Sequence, residues 1–539
     1  MKAFDYIVVG SGCSGAMAAQ TLVEAGKKVA MVDVGETNPQ YGSLVPDKDY
    51  LTLRTTDPNQ YQYLIGENAE GIVISDAGKG AQVTPGRSNM LRDTDRLIPL
   101  RSRTFSSLES LGYGGLGIGW GLQCWEFTRK EIAATGMDVE RTVRAYETVS
   151  GRIGISGTND SAARYTLGEL MSYQPSPEAD RNMRHIYKRY QDHKKEFDTA
   201  GVMMGRTPLA LITRPKDGRR AYAYRDMDFY DDNGASAWRP WITLNELRKK
   251  PNFTYIHGFL ALSFRDTKNG AVIKGLNVAT KKPVSVTCKK LILATGALGT
   301  ARIALRSLAQ KPRQKIPFLS NPYTYVPCVQ PAFFGKGTEA RKIGFGQISA
   351  FLTEEDERPD TSILTLYSYQ SLMLFRVIQQ APLNFIDART IMRYLSPGLI
   401  VTGIQHSDRA SPYKYLRLID NPKTMTGDEL EAYYELSAAD LADQKRREDT
   451  YIKALRKVGL YAVKRMNPGN GSSLHYAGTL PFSETEKPLS LSPTGRVHQT
   501  RNIYVADSSG FKFLPARGLT FSILANAHIV AENVLQGKE

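Results

Sequence analysis

Histidine is the side chain whose charge changes near neutral pH, so a histidine beside a substrate hydroxyl can take its proton. Of the seven histidines, His475 has the setting for that role. It heads the run His475-Tyr-Ala-Gly478-Thr479 and precedes by 32 residues Asp507, which closes the apolar stretch Ile503 to Ala506. The other six, His185, His193, His257, His406, His498 and His528, read as structural, with His406 and His498 adjoining segments of site character. Near the opposite end of the chain, Gly10, Gly12 and Gly15 form G-x-G-x-x-G directly after the apolar run Tyr6 to Val9. The first glycine makes a tight turn, the second lets backbone approach a pyrophosphate, and the third lets helix pack on strand. Asp33 follows Gly15 by 18 residues, at the end of a second apolar run, where an acid can bond ribose hydroxyls.

These residues need elements to hold them. Tyr6 to Val9 suits a strand buried on both faces of a parallel sheet. The Ala-rich helix after Gly15 turns free N–H groups toward a phosphate and ends near Gly26, with Val29 to Val32 as the next strand. Lys290 to Ala294 leads into Thr295-Gly296-Ala297-Leu298-Gly299, a second strand-to-glycine turn returning to the same sheet. At the C-terminus, a helix from about Thr520 to Leu535 points its positive end at whatever binds beside Asp507. Six glycines lie between Gly112 and Gly121 and let backbone amides come close to a ligand; Leu116, Ile118 and Trp120 among them suggest a covering loop.

Between these segments, Asn38 to Asn89 reads as a long loop. Residues 160 to 210 read as helical, and Thr243-Leu-Asn-Glu246 as a capping box before a short basic helix. Thr254 to Phe264 and Ala271 to Val278 read as antiparallel strands turning at Lys268-Asn269-Gly270. Strands are expected around 344–353, 363–370 and 399–406, and a charged helix around 426–458.

At 539 residues the chain should form two or more domains, or one with a large insertion. The four cysteines, Cys13, Cys124, Cys288 and Cys328, are too scattered for an iron–sulfur cluster, attached haem, zinc site or disulfide framework. The net charge of +16 is spread without a basic block, so no nucleic-acid partner is expected. The apolar stretch Ser371 to Val401 is interrupted by Arg376, Asp387, Arg389, Arg393, Pro382 and Pro397; it is not a transmembrane segment and reads as core helices. The first strand begins almost at Met1, and a cytoplasmic location is the expectation.

Together the motifs resemble the glucose–methanol–choline (GMC) oxidoreductases, flavoproteins that oxidise alcohols. The resemblance rests on the N-terminal glycines with Asp33-Val-Gly35, the Gly114-Gly115 loop, Ala294-Thr-Gly296-Ala-Leu, His475-x-x-Gly478-Thr479, Gly495-Arg-Val-His498 and Tyr504-Val-Ala-Asp507-Ser-Ser509. It implies an α/β fold: a Rossmann-like FAD-binding domain over 1–38, 85–155, 215–312 and 465–539, and a discontinuous α+β substrate domain with an antiparallel sheet over 156–214 and 313–464. Residues 39–84 would be a lid or cofactor cover. The cofactor would be non-covalent FAD, since the 112–121 loop holds no histidine. The implied contacts are Gly10, Gly12, Ser14, Gly15, Asp33, Gly114, Gly115, Gly117, Trp120, Leu260, Ala294, Gly296, Asp507, Ser508, Gly518, Leu519 and Thr520, with His475 as base.

One position departs from the family. Where a second histidine or asparagine usually precedes the last helix, this chain has Ala516 in Pro515-Ala-Arg-Gly-Leu-Thr520; Arg517 or Thr520 could substitute. The glycine loop, the tail and Arg225-Asp-Met-Asp-Phe-Tyr resemble bacterial members acting on sugars, including dehydrogenases of aminoglycoside biosynthesis. Asp226, Asp228, Asp231 and Asp232 could offset the basic charge for a cationic substrate. The expected partner is a small-molecule alcohol, with the electron acceptor (oxygen, quinone or protein) open. A lyase that keeps FAD without redox use, and a peripheral membrane flavoprotein acting on a lipid or sterol alcohol, are the alternatives.

Overall fold

A computed structural model describes residues 4–38, 44–67, 83–167, 173–353, 359, 361–368 and 384–537. Strand β1 (Phe4–Val9) is followed by helix α1 (Cys13–Glu24) and strand β2 (Val29–Val32), as the first βαβ unit requires. β1 pairs in parallel with β2 on one side and with Pro283–Leu293 on the other; Phe253–Ile256 adds in parallel outside β2. Ile503–Val505 pairs in parallel with Leu291 to Leu293. The strand Pro283–Leu293 therefore serves two sheet types. Its last three residues are wholly buried in the parallel part, while its first half is mostly exposed and runs antiparallel to Gly270–Asn277. Burial on both faces explains why only the C-terminal half is a continuous apolar run. α1 packs against the C-terminal helix Thr520–Leu535 and against Pro240–Leu247, closing a core that includes Ile7, Val8, Leu22, Met31, Leu291 and Leu524.

A second sheet of six strands runs Tyr461–Ala462, Tyr323–Val329, Leu399–His406, Ser362–Tyr367, Ile348–Leu352 and Val202–Arg206, all antiparallel. Its strands alternate. Val326, Cys328, Ile348, Leu364, Ile400 and Ile404 face a core shared with Met183, Ile186 and Phe197 of two helices and Tyr451 and Leu455 of a third. The opposite face carries Tyr323, Tyr325, Tyr367 and Gln405, and period-two geometry turns all four the same way.

Several local expectations are corrected. The 160–210 region holds the helices Ser161–Tyr165, Arg181–Asp192 and Lys194–Thr199, but ends in the strand Val202–Arg206. The run from Thr254 breaks at Gly258, whose φ of +75° turns the chain from a parallel strand into the antiparallel Phe259–Thr267. The helix near 243 begins at Pro240, and Thr243 instead accepts a hydrogen bond from the Trp238 indole N–H at 3.1 Å. Asp428–Tyr434 is a strand with Leu430, Ala432 and Tyr434 inward; the helix is Ala438–Lys457. Period two won there over a high charge density.

Part of the expected lid, 39–43 and 68–82, lies outside the described residues; the rest contains the short helices Tyr50–Thr56 and Tyr61–Leu64. Within 371–401 the described part is the helix Phe385–Leu395 and the start of a strand, residues 371–383 lying outside. That helix is at the surface, not in a core: Ala388 and Met392 are buried while Ile386 and Tyr394 are exposed. No helix among the described residues is long and apolar enough to cross a membrane.

Candidate active site

One cavity runs from the C-terminal ends of β1 and β2 to the tyrosine face of the six-stranded sheet. At its first end, a Cβ on Gly15 would sit 1.9 Å from the Gly10 carbonyl oxygen, so only glycine lets α1 approach β1 this closely. A Cβ on Gly12 would meet nothing within 4 Å and would instead project into open space. That is the vacancy a pyrophosphate approaching the backbone requires. Gly10, Gly12, Ser14, Asp33, Leu260, Ala294 and Gly296 all line this end. Gly15 does not; its part is the close packing.

Asp33 is prepared by its neighbours. Its Oδ2 accepts from the Ser11 hydroxyl and, at 3.0 Å, from the Tyr255 hydroxyl. Burial pushes its carboxyl up to about 6, against the pull of those hydrogen bonds. Ser11 Oγ in turn accepts from the Gly114 N–H at 2.9 Å, tying the first glycine turn to the covering loop. Gly114 is thus a brace away from the cavity wall, whereas Gly115, Gly117 and Trp120 line it. Sequence reasoning missed Ser11 and Tyr255. It also missed Arg302, which lines the cavity while gripping Glu109 through both guanidinium N–H groups at 2.6 and 2.8 Å. Ser11 lay in plain sight inside the motif; Tyr255 and Arg302 left no signal, being brought in by sheet pairing and by a helix face.

Asp507, Ser508, Gly518, Leu519 and Thr520 line the middle of the cavity. The Asp507 carboxylate is turned into the protein. It accepts from the backbone and hydroxyl of Ser509 on one oxygen and from Thr300 on the other. Thr520 is the first residue of the C-terminal helix, whose opening N–H groups have no partner within the helix.

His475 lies on the wall beside them, part-buried. The short ladder of Leu319–Ser320 with Tyr476–Ala477 carries Asn321 to its side, and Asn321 Oδ1 is 2.9 Å from His475 Nδ1. The dense surroundings disfavour an imidazolium and hold the ring's pKa down at about 4, so the ring rests neutral. Neither His406 nor His498 reaches the cavity; their ring nitrogens face Glu448 and the Ser483 carbonyl.

Arg517 is a correction. It does not line this cavity. Its Nε donates to Glu131 Oε2 at 2.7 Å, both side chains being about 1% exposed, and its guanidinium lies 4.5 Å over the Phe351 ring. Its guanidinium is engaged by Glu131 and lies away from the wall that carries His475. Ala516 is packed with Trp125, Phe351 and Ile363. The aspartates thought able to receive a cation are also engaged elsewhere: Asp228 by Tyr222 and the Gly344 N–H, Asp231 by Arg225, Asp232 by Arg87 and Arg239. None of these three, nor Asp226, lines the cavity. All four cysteines are free, and no group of three metal-ligating side chains occurs among the described residues.

One cavity joins the glycine turn after β1 to the wall that carries His475. Residues 430–527 match the family model described as GMC oxidoreductase, and the resemblance drawn from the motifs holds. The chain is similar to 6'''-hydroxyparomomycin C oxidase of Streptomyces lividus, 26% identical, and to paromamine 6'-oxidase of Streptomyces fradiae, 25% identical. Each alignment covers 57% of this chain and 50% of the relative. The chain thus spans about half the length of the curated relatives it matches. Its fold is that of pyridoxine 4-oxidase from Mesorbium loti, with a TM-score of 0.59, 13% identity and 99% of both chains covered.

Proposed function

We propose that the protein is an FAD-dependent oxidoreductase of alcohols in which His475 takes the hydroxyl proton. The observation that carries this reading is that His475, whose charged form burial disfavours, lies on the wall of the same cavity that the Gly10 to Ser14 turn lines. Bound FAD would supply the acceptor for the hydride that leaves the carbinol carbon, while the hydroxyl proton goes to His475 and a carbonyl product remains. Gly12, Gly15 and Asp33 would hold the dinucleotide, and the N-terminus of Thr520–Leu535 would stabilise negative charge gained by the ring. Binding is read as non-covalent. Cys13, the one cysteine on the wall, is held as a thiol, pushed up to about 12 by burial.

For the substrate we favour a neutral, sugar-like ring alcohol. Tyr323, Tyr325, Tyr367, Gln405 and Gln123 offer flat surfaces, hydroxyls and amides. The lining carboxylates among the described residues belong to the cofactor half: Asp33 at the cradle, Glu109 on Arg302, Asp507 saturated by Ser509 and Thr300. A cationic substrate would find no carboxylate on the sheet face among the described residues.

A second reading, a lyase that keeps FAD without using its redox chemistry, is sustained by Ala516, which leaves the second polar position empty of function. Anaerobic stopped-flow mixing of the yellow protein with neutral sugars, amino sugars, aromatic alcohols and sterols separates the two. We expect one neutral class to bleach the flavin, and His475→Ala to slow that reduction by about 10²–10⁴-fold. Reduction at an undiminished rate in His475→Ala would remove the base assignment. Flavin that no alcohol bleaches would favour the lyase. Oxygen uptake during turnover would identify the reoxidant.

A further inference from the structure

We infer that Asn321 is a positioning residue that locks His475 in the Nδ1–H tautomer, leaving Nε2 as the proton-accepting nitrogen. The inference rests on the reading of His475 as base. Its starting point is the asparagine's own bonding. Asn321 is 1% exposed, and its Nδ2 donates to the carbonyl oxygens of His406 at 2.7 Å and of Pro515 at 3.0 Å. Carbonyl oxygens only accept, so the side-chain atom facing them must be the NH₂ group. The amide orientation is therefore decided by the protein on one side, and Oδ1 is forced toward His475.

An amide oxygen also only accepts. At 2.9 Å from His475 Nδ1, it requires the proton on that nitrogen. Neutral imidazole carries one N–H, so the lone pair sits on Nε2, across the ring from Asn321. Nε2 makes no hydrogen bond to the described protein, and His475 but not Asn321 lines the cavity. Without Asn321 either tautomer would be open to the ring, and one of them turns an N–H, useless as a base, toward the substrate.

The choice of amide over carboxylate also has a consequence. An aspartate here would favour imidazolium, an already protonated base, whereas a neutral acceptor fixes the tautomer without charging the ring. The anchor reaches further: Pro515 begins the loop that leads through Ala516 to the helix start at Thr520. Asn321 thus references the base to the segment leading to the helix N-terminus proposed to stabilise charge on the flavin ring. A site lacking the family's second polar residue depends on such a reference for its one base.

The test is the pH profile of anaerobic flavin reduction in the FAD-loaded full chain for wild type, Asn321→Asp, Asn321→Ser and His475→Ala, with flavin content and melting temperature recorded for each. In wild type, reduction should fail only in acid, where His475 protonates. Asn321→Asp should move that acidic limb upward by about one unit or more, the usual effect of an adjacent carboxylate. Asn321→Ser should leave the limb in place or lower, keep substrate affinity near wild type, and slow reduction. The slowing lies between roughly tenfold and the ~10⁴-fold seen where a catalytic histidine takes the wrong tautomer. Should the two variants slow reduction equally with unmoved limbs, Asn321 only ties loops together and the inference fails. If Asn321→Asp does not retain flavin, Asn321→Ser decides: wild-type reduction by it overturns the inference. If His475→Ala reduces normally, the base reading itself has failed, a result distinguishable from either.

Discussion

The two ends of the cavity are built on opposite plans. The end proposed to take the dinucleotide is built around one contiguous stretch, β1 to Asp33, joined by Leu260, Ala294 and Gly296, and its glycines remove atoms that would keep backbone from backbone. The chamber end is made by three strands whose residues are scattered from Tyr323 to Gln405, and it works by what their side chains add. Subtraction is intolerant, because a forbidden atom has nowhere to go. Addition is tolerant, because a tyrosine or amide can be exchanged for another group of similar size. The cradle should therefore fail outright when altered, and the chamber should change its preference.

The largest effect expected from this contrast is at Gly15. Gly15→Val would drive Cβ into the Gly10 carbonyl and separate α1 from β1, at a cost on the order of 4 kcal/mol or more. Protein purified from this variant should contain no flavin, as read from its absorbance ratio. Flavin at wild-type occupancy would mean that the cradle is not held by close packing. Next comes Glu131→Ala, behind the chamber, which leaves Arg517 buried without its partner and should cost about 3–5 kcal/mol in denaturant unfolding. Its folded fraction should still be reduced by substrate. Loss of reduction without loss of stability would return Arg517 to the chemistry.

That contrast also explains what was legible in the sequence. Local rules place the first βαβ unit well: the glycine spacing and the strands around it express interactions within about thirty residues, and the helix Thr520–Leu535 has the bounds expected. The tail was legible for the same reason, since His475 and Asp507 each sit in a short recognisable run. Asn321 was not. It meets His475 across 154 residues through a two-residue ladder, and nothing about Ser-Asn-Pro in sequence announces a ladder end. Arg517 lies off the cavity although its neighbours Gly518 to Thr520 line it. The direction of a side chain at a helix entrance depends on a partner, Glu131, that sequence spacing could not indicate. The strand Asp428–Tyr434 was hidden by its charges, although its inward positions alternate.

An intermediate effect is expected from acid. Burial holds His475 at about 4 in the folded protein, below the ordinary histidine value of about 6.5. Between those values the unfolded chain binds the proton and the folded one does not, so stability falls as pH drops through this window. The loss should be on the order of 1–3 kcal/mol in denaturant midpoints between about pH 6.5 and 4. In His475→Gln it should shrink by that amount. An unchanged acid slope in His475→Gln would mean that the ring is hydrated, and that the low resting charge of the base has another origin.

The smallest effect belongs to the chamber, and it tests the tolerant half of the contrast most directly. Tyr367 hydroxyl accepts from the Gln123 side-chain amide at 2.8 Å, and both residues line the cavity. Tyr367→Phe keeps the ring and the packing of its strand but removes the hydroxyl the chamber would offer a polyhydroxylated substrate, about 1 kcal/mol of binding for a single neutral hydrogen bond. Flavin content and the rate of reduction at saturating alcohol should stay near wild type, because nothing in the cradle or at His475 is touched. What should change is the ranking of substrates: KM for a polyhydroxylated alcohol should rise about fivefold, as 1 kcal/mol implies, while that for an apolar ring alcohol stays level or falls. A variant that loses flavin, or slows all alcohols alike, would show that the tyrosine face supports the cofactor end rather than selecting what meets it.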